Sequence, residues 1–132
     1  MKELTIRTQK HTQFVNIDRE VQRIVEESGI RKGICVVFAP HTTAGITINE
    51  NADPDVVRDI ITVLERLVPW QGNYAHTEGN AAAHTKASLV GFSQSLLIED
   101  GRLAFGTWQS LYFCEFDGPR ARKVWVEIIS SA

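Results

Sequence analysis

The sequence predicts an α+β fold built mainly of antiparallel strands, and three observations carry that reading. Period-two hydrophobic segments open the chain and fill its last third. Three stretches of helical periodicity interrupt them. Asp-Gly and Gly-Pro pairs punctuate the C-terminal segments as hairpin turns do. With 132 residues, 43% hydrophobic and 23% charged, the chain fits one domain, 1–132, able to bury a core without staples.

The elements follow in order. LTIRT and QFVNI alternate as half-buried strands, and HTQ between them suggests a hairpin. From Asp18, Val21, Ile24 and Val25 fall at helical spacing, and Ser28-Gly29 supplies the stop. Ile34 to Phe38 is apolar at every residue, the pattern of a strand covered on both faces, and Pro40 ends it just before His41. Gly45 to Asn49 alternates again. Asp53-Pro54-Asp55 reads as an N-cap, a first-turn proline and a first-turn acid, leading a helix with Val56, Val57, Ile60, Ile61, Leu64 and Leu67 inward until Pro69. Trp70 to Gly79 is polar and aperiodic, as a functional loop is. Asn80 can cap a short helix through AAAHTKASLV that closes at Gly91. SQSLLIE, LAFG, LYFCEF and KVWVEII then read as antiparallel strands, with turns at Asp100-Gly101 and Asp117-Gly118-Pro119.

A formal net charge of -2 argues against general affinity for nucleic acid or anionic lipid, so the expected partner is small or proteinaceous. MKELTIRTQK lacks a signal-like apolar core and no apolar run is long enough to span a bilayer, which predicts a cytoplasmic protein. Cys35 and Cys114 lie in apolar stretches, where a reduced thiol behaves as a small hydrophobe.

Three of the four histidines, His41, His76 and His84, fall in the polar middle third. Neutral imidazoles are the commonest metal ligands, and three with one open position is the catalytic zinc arrangement, although the one-turn helical pairing of zinc proteases is missing. Each has a plainer reading: a ring satisfied by a loop carbonyl for His41, a solvated loop residue for His76, an exposed helix residue for His84. Glu50, between two asparagines, is the better general acid or base, because Asp53 is already explained as a cap. Arg102 and the group Arg120, Arg122, Lys123 stand near glycine turns, as a solvated face or as an anion site. In Gly106-Thr107-Trp108-Gln109 the glycine and hydroxyl would let backbone approach a ligand, while Trp108 could simply be core.

The phrases HTTAGITINENADPDVVRDI, YAHTEGNAAAH, SLVGFS and GRLAFGTWQSLYFCEFDGPRARKV, in that order, resemble the YjbQ family of small conserved proteins over almost the whole chain. The resemblance implies a β-sandwich-like α+β fold with two longer helices and one short one, a homotrimer, a metal-binding histidine cluster and a side activity like that of a secondary thiamine-phosphate synthase. Carried over, it makes His41, His76 and His84 the metal ligands and Glu50, Asp53 and Arg102 the catalytic group. Thr42, Thr43, Asn49, Asn80, Thr107, Trp108, Gln109 and Arg120 become substrate-binding residues. The implied reaction joins a hydroxymethylpyrimidine diphosphate to a thiazole phosphate with release of pyrophosphate. Zinc suits the histidines, and magnesium would suit a diphosphate. The alternatives are a metal-dependent hydrolase and a non-catalytic trimer that binds a phosphorylated metabolite.

Overall fold

The computed structural model describes residues 1–131. Eight strands and three helices follow in the order β1 (Lys2–Arg7), β2 (Gln13–Asn16), α1 (Asp18–Ser28), β3 (Gly33–Phe38), β4 (Ala44–Glu50), α2 (Pro54–Leu67), α3 (Ala81–Val90), β5 (Ser93–Glu99), β6 (Arg102–Leu103), β7 (Gln109–Glu115) and β8 (Ala121–Ser130). This is the α+β class with antiparallel sheets that the periodicity predicts. One sheet has five strands ordered β1-β8-β3-β5-β6, and the other has three, β2-β7-β4.

The main core lies where the inner faces of the two sheets meet α1. Cys35, Val37, Leu96, Ile98, Val124 and Val126 come from the larger sheet, Ala44, Ile46, Leu111 and Phe113 from the smaller, and Ile17, Val21, Ile24 and Val25 from the helix and its entrance. Burial of such side chains, about 1.5–3 kcal/mol each, is what holds the layers together. A second cluster covers the other face of the smaller sheet, where Tyr112, Cys114 and Phe116 pack against Ala83 and Ala87 of α3, with Val57, Leu64, Trp70 and Phe92 around them. The smaller sheet is therefore covered on both faces.

Several local expectations hold. Gly29 ends α1 in the left-handed region at φ 72°, and Asp53 caps α2 by accepting a 2.9 Å bond from the Asp55 amide, with Pro54 at the first helical position. Asp100 and Gly101 turn β5 into β6 at positive φ. Both cysteines are free and buried. Burial lifts the Cys35 thiol to about 11 and the Cys114 thiol well above its ordinary value, which leaves them as unreactive hydrophobes.

Four expectations are corrected. β1 and β2 form no hairpin: β1 pairs with β8 in one sheet and β2 with β7 in the other. The separation is enforced at Thr8, whose amide and hydroxyl both meet the Arg120 carbonyl while the chain crosses between sheets. β3 is covered on one face only, since Ile34 and Phe38 are 40% and 39% exposed and Leu97 and Ile129 beside them are also exposed. On α2 the apolar stripe contains no buried residue, and Leu67 is exposed. The LAFG strand shrinks to Arg102–Leu103.

Candidate functional site

The antiparallel pairing of β4 with β7 sets the positions of the chemistry. Ala44 lies opposite Glu115 and Glu50 opposite Gln109, so the pair has one end at Thr43 and Glu115 and the other at Glu50 and Gln109. Six residue steps at about 3.4 Å separate the ends by about 20 Å.

At the first end a cavity of about 420 Å³ is lined by Pro40, His41, Thr42, Thr43, His76, Glu78, Asn80, His84, Asp117, Arg120 and Arg122. His41 comes from the turn after β3, His76 and Glu78 from the loop before α3, His84 from its first turns, and the arginines from the entry to β8. The C-terminal end of α3 comes close to β4 here: a Cβ on Gly45 would stand 2.5 Å from the Gly91 carbonyl, which accepts the Ile46 amide at 3.0 Å. A Cβ on Gly118 would meet the Lys10 carbonyl at 2.5 Å, so the turn into β8 is equally tight.

Beneath the cavity floor lies a buried ion pair. Arg122 reaches the Glu115 carboxylate through Nε and Nη2 and also donates to Thr43 Oγ1 at 2.9 Å. Glu115 accepts from the Thr8 hydroxyl and the Asp117 amide as well. Burial by itself would push the Glu115 carboxyl up, but those donors together with Arg122 hold it below its ordinary value. Arg122 is therefore committed to the scaffold. Asp117 links the floor to the wall: it accepts from Asn80 Nδ2 at 3.0 Å, lies 3.3 Å from Arg120, and lies 3.8 Å from His11, whose ring stacks edge-on against Trp70.

The histidines share this cavity without forming a ligand set. His76 and His84 stand edge to face with centroids 5.3 Å apart, and His76 lies 4.0 Å from Glu78. The His41 Nε2 is engaged by the Lys123 backbone, 2.9 Å from its nitrogen and 3.1 Å from its oxygen. Desolvation, reinforced by the Arg122 charge, lowers the His41 pKa against the opposing effect of that backbone contact. Among the described residues no group of three or more His, Cys, Asp or Glu is placed to hold a metal ion. The expected three-histidine ligand set is corrected: these rings are not assembled as one, and the His41 Nε2 faces the Lys123 backbone in β8 rather than a neighbouring loop carbonyl.

Asn80 does precede α3, but its side chain makes no capping bond. It donates instead to Glu78 and Asp117, and its Oδ1 is buried without a partner. The first bonds of the helix, from the Ala83 and His84 amides, both run to the Asn80 carbonyl, so the Ala81 and Ala82 amides precede the first turn's bonds, and Asn80 and His84 are the residues of this helix start that line the cavity.

The remaining site residues are elsewhere. Asn49, Glu50, Thr107, Trp108 and Gln109 line a separate cavity of about 350 Å³ with Ile48, at the other end of the β4–β7 pair. Arg102 lines a third, beside Arg31, Asp100 and Gly101 under α1. Asp53 is the helix cap. The expected grouping of Glu50, Asp53 and Arg102 with the histidines is corrected accordingly. Sequence reading missed Glu78, Asp117 and Glu115; the two-residue interval from His76 to Glu78 was the available signal for the first.

The model of the family described as UPF0047 protein YjbQ-like matches residues 2–131. The chain belongs to the YjbQ/UPF0047 family. It is 49% identical to the UPF0047 protein YugU of Bacillus subtilis, over 98% of each chain, and 52% identical to a UPF0047 protein of Methanocaldococcus jannaschii, over 94% of this chain and 90% of that one. A crystal structure from Clostridium acetobutylicum superposes with a TM-score of 0.96 at 56% identity, covering 98% of this chain and 100% of that one. Another, from Sulfolobus solfataricus, gives 0.94 at 34%, covering 98% and 96%. The Clostridium protein is described as an uncharacterized conserved protein and the Sulfolobus protein as YbjQ-like and of unknown function. These family members carry no thiamine-phosphate synthase description, and the ligand set that either metal-dependent reading needs is not formed. The thiamine-phosphate synthase reading and the metal-dependent hydrolase reading are both corrected by these findings.

Proposed function

We propose that the histidine cavity binds a small phosphorylated metabolite. The observation that supports this most is the convergence of His41, His76, His84 and Arg120 on a cavity whose wall includes the start of α3. Amides at a helix start suit an anion, and a guanidinium fork and imidazoles add directed donors. Arg120 is half-exposed, so it can turn from Asp117 to a ligand. Because Glu115 already occupies Arg122, Arg120 is the guanidinium this reading depends on. Inorganic phosphate and glycerol 3-phosphate titrated calorimetrically should bind saturably to the protein, and Arg120→Ala should weaken them about tenfold or more. Non-saturable heat, or an unchanged affinity in the variant, would refute the reading.

A second reading rests on the His76–His84 pair. Two imidazoles beside a bound phosphate ester can move protons for its turnover, so steady release of phosphate by wild-type protein and not by His84→Ala would favour an enzyme.

The same proposal includes a homotrimer in a reducing, cytoplasmic setting. The bare apolar face of the five-stranded sheet, with Ile34, Phe38, Leu97 and Ile129, supports the first. The free buried cysteines support the second. Among the described residues no helix is long and apolar enough to cross a membrane. Sedimentation of wild type against Leu97→Glu tests the assembly: a trimer that the charge dissociates is the expected result.

A further inference from the structure

The cavity at the other end of the β4–β7 pair lies outside the phosphate reading, and its construction identifies a different ligand. It begins with a clasp. The Gly106 amide donates to the Gln109 side-chain oxygen at 2.8 Å, and the Gln109 amide donates back to the Gly106 carbonyl at 3.1 Å. A Cβ on Gly106 would lie 3.1 Å from that side-chain oxygen, so glycine lets the clasp close. The turn holds Thr107 and Trp108 between its two bonded ends. A third bond, from the Asn51 amide to the Trp108 carbonyl at 2.9 Å, ties the turn to the segment leaving β4.

The indole displayed in this way is 63% exposed. Its cavity of about 350 Å³ contains Ile48, Asn49, Glu50, Thr107 and Gln109, with one carboxylate and no lysine or arginine in the lining. Glu50 and Gln109 are paired directly across the ladder, so their side chains rise from one face at the mouth. Tyr112 fixes the backbone there, its single hydroxyl hydrogen shared between the Glu50 carbonyl at 3.0 Å and Asn51 Oδ1 at 2.9 Å.

The geometry points to a site for a small organic cation, an ammonium or guanidinium group on an apolar stem, held between the Trp108 face and the Glu50 carboxylate. An indole face attracts a cation through its quadrupole and the carboxylate supplies the opposite charge, while the Asn49 and Gln109 side-chain oxygens are taken by the Glu50 and Gly106 amides, which leaves their N–H groups for the rest of the ligand. A phosphate would meet only Glu50 and neutral groups here, so the site is chemically distinct from the histidine cavity.

Tetramethylammonium chloride and methylguanidinium chloride, titrated against sodium chloride at equal ionic strength, test this by the indole N–H resonances in two-dimensional NMR. Only Trp70, Trp108 and Trp125 give such signals, and the peak missing from Trp108→Leu identifies the one of interest. A saturable shift of that peak with either organic cation and none with sodium is expected, weakened about fivefold or more in Glu50→Gln. The saturable shift is read on wild-type protein, and the variants serve to identify the peak and to grade the affinity. Shifts equal to those in sodium chloride, an affinity unchanged in Glu50→Gln, or a Trp108 peak that moves with protein dilution and not with the cations would overturn the assignment. The last result would make the indole a contact between copies of the chain.

Discussion

The two ends of the β4–β7 ladder share one strand pair and differ in almost everything else. At the Thr43–Glu115 end, three histidines and two arginines surround a cavity braced by a buried ion pair; at the Glu50–Gln109 end, one carboxylate and an exposed indole stand on a clasped turn. The difference lies in how each end is anchored. The first is assembled from three remote segments, 40–43, 76–84 and 117–122, and braced from a fourth by bonds such as Arg120 N to Thr8 Oγ1, 112 positions apart. The second needs two segments only, Gly106 to Gln109 closed on itself by its clasp and Asn49 to Asn51 joined to it across the ladder.

The largest expected asymmetry comes from Arg122→Met. It would leave Glu115 buried without its cation, a loss of about 3–5 kcal/mol in denaturant unfolding. In the protein that remains folded, the Trp108 indole resonance should keep its position. Glu115 also fixes the acid response. Its folded pKa lies below the ordinary 4.5, so its contribution to stability is fully present above that value and is lost as pH falls through the folded pKa, an effect Glu115→Gln should remove.

Gly45→Ala strikes the ladder near the histidine end. Its new methyl would meet the Gly91 carbonyl, which belongs to backbone and cannot swing aside, and a loss of about 1–3 kcal/mol in thermal unfolding is expected. At the opposite end, Asp53→Ala removes only the α2 cap, so about 1 kcal/mol should disappear while binding at the histidine cavity stays unchanged.

The two ends differ in what could be read from sequence. Asp53-Pro54 was legible because a cap acts over a few residues, whereas the Asn80 to Gly91 bounds of α3 were placed correctly although Asn80 turns its side chain to Glu78 and Asp117 instead of capping. The middle-third histidines were legible as candidates by residue type, but their partners were not. Whether Glu50 joins His41 depends on which end of β4 each occupies, and that follows from an antiparallel partner sixty residues away. The same ignorance of partners produced the false β1–β2 hairpin. Five consecutive apolar residues in β3 reported correctly that both faces are apolar, without saying that the chain itself covers only one.

The smallest expected effect sharpens the electrostatic side of the comparison. His41 is held neutral by desolvation and by Arg122, so its folded pKa lies below the ordinary 6.5. Its contribution to stability is present above 6.5 and is lost as pH falls through the folded value, because there the unfolded chain binds the extra proton. An anion in the cavity reverses that preference. The affinity for sulfate, whose own charge is constant over this range, should rise by a factor of a few as pH drops from 8 toward 5.5, and His41→Gln should flatten part of the rise.

Cys35 sits in the larger sheet and Cys114 in the smaller, each unpaired and sealed in the interior. A thiol reagent can reach either only when its surroundings open, so labelling kinetics resolved by mass spectrometry give one clock for each sheet. Equal rates would mean that the layers come apart in a single cooperative event, and unequal rates would show which of them opens first.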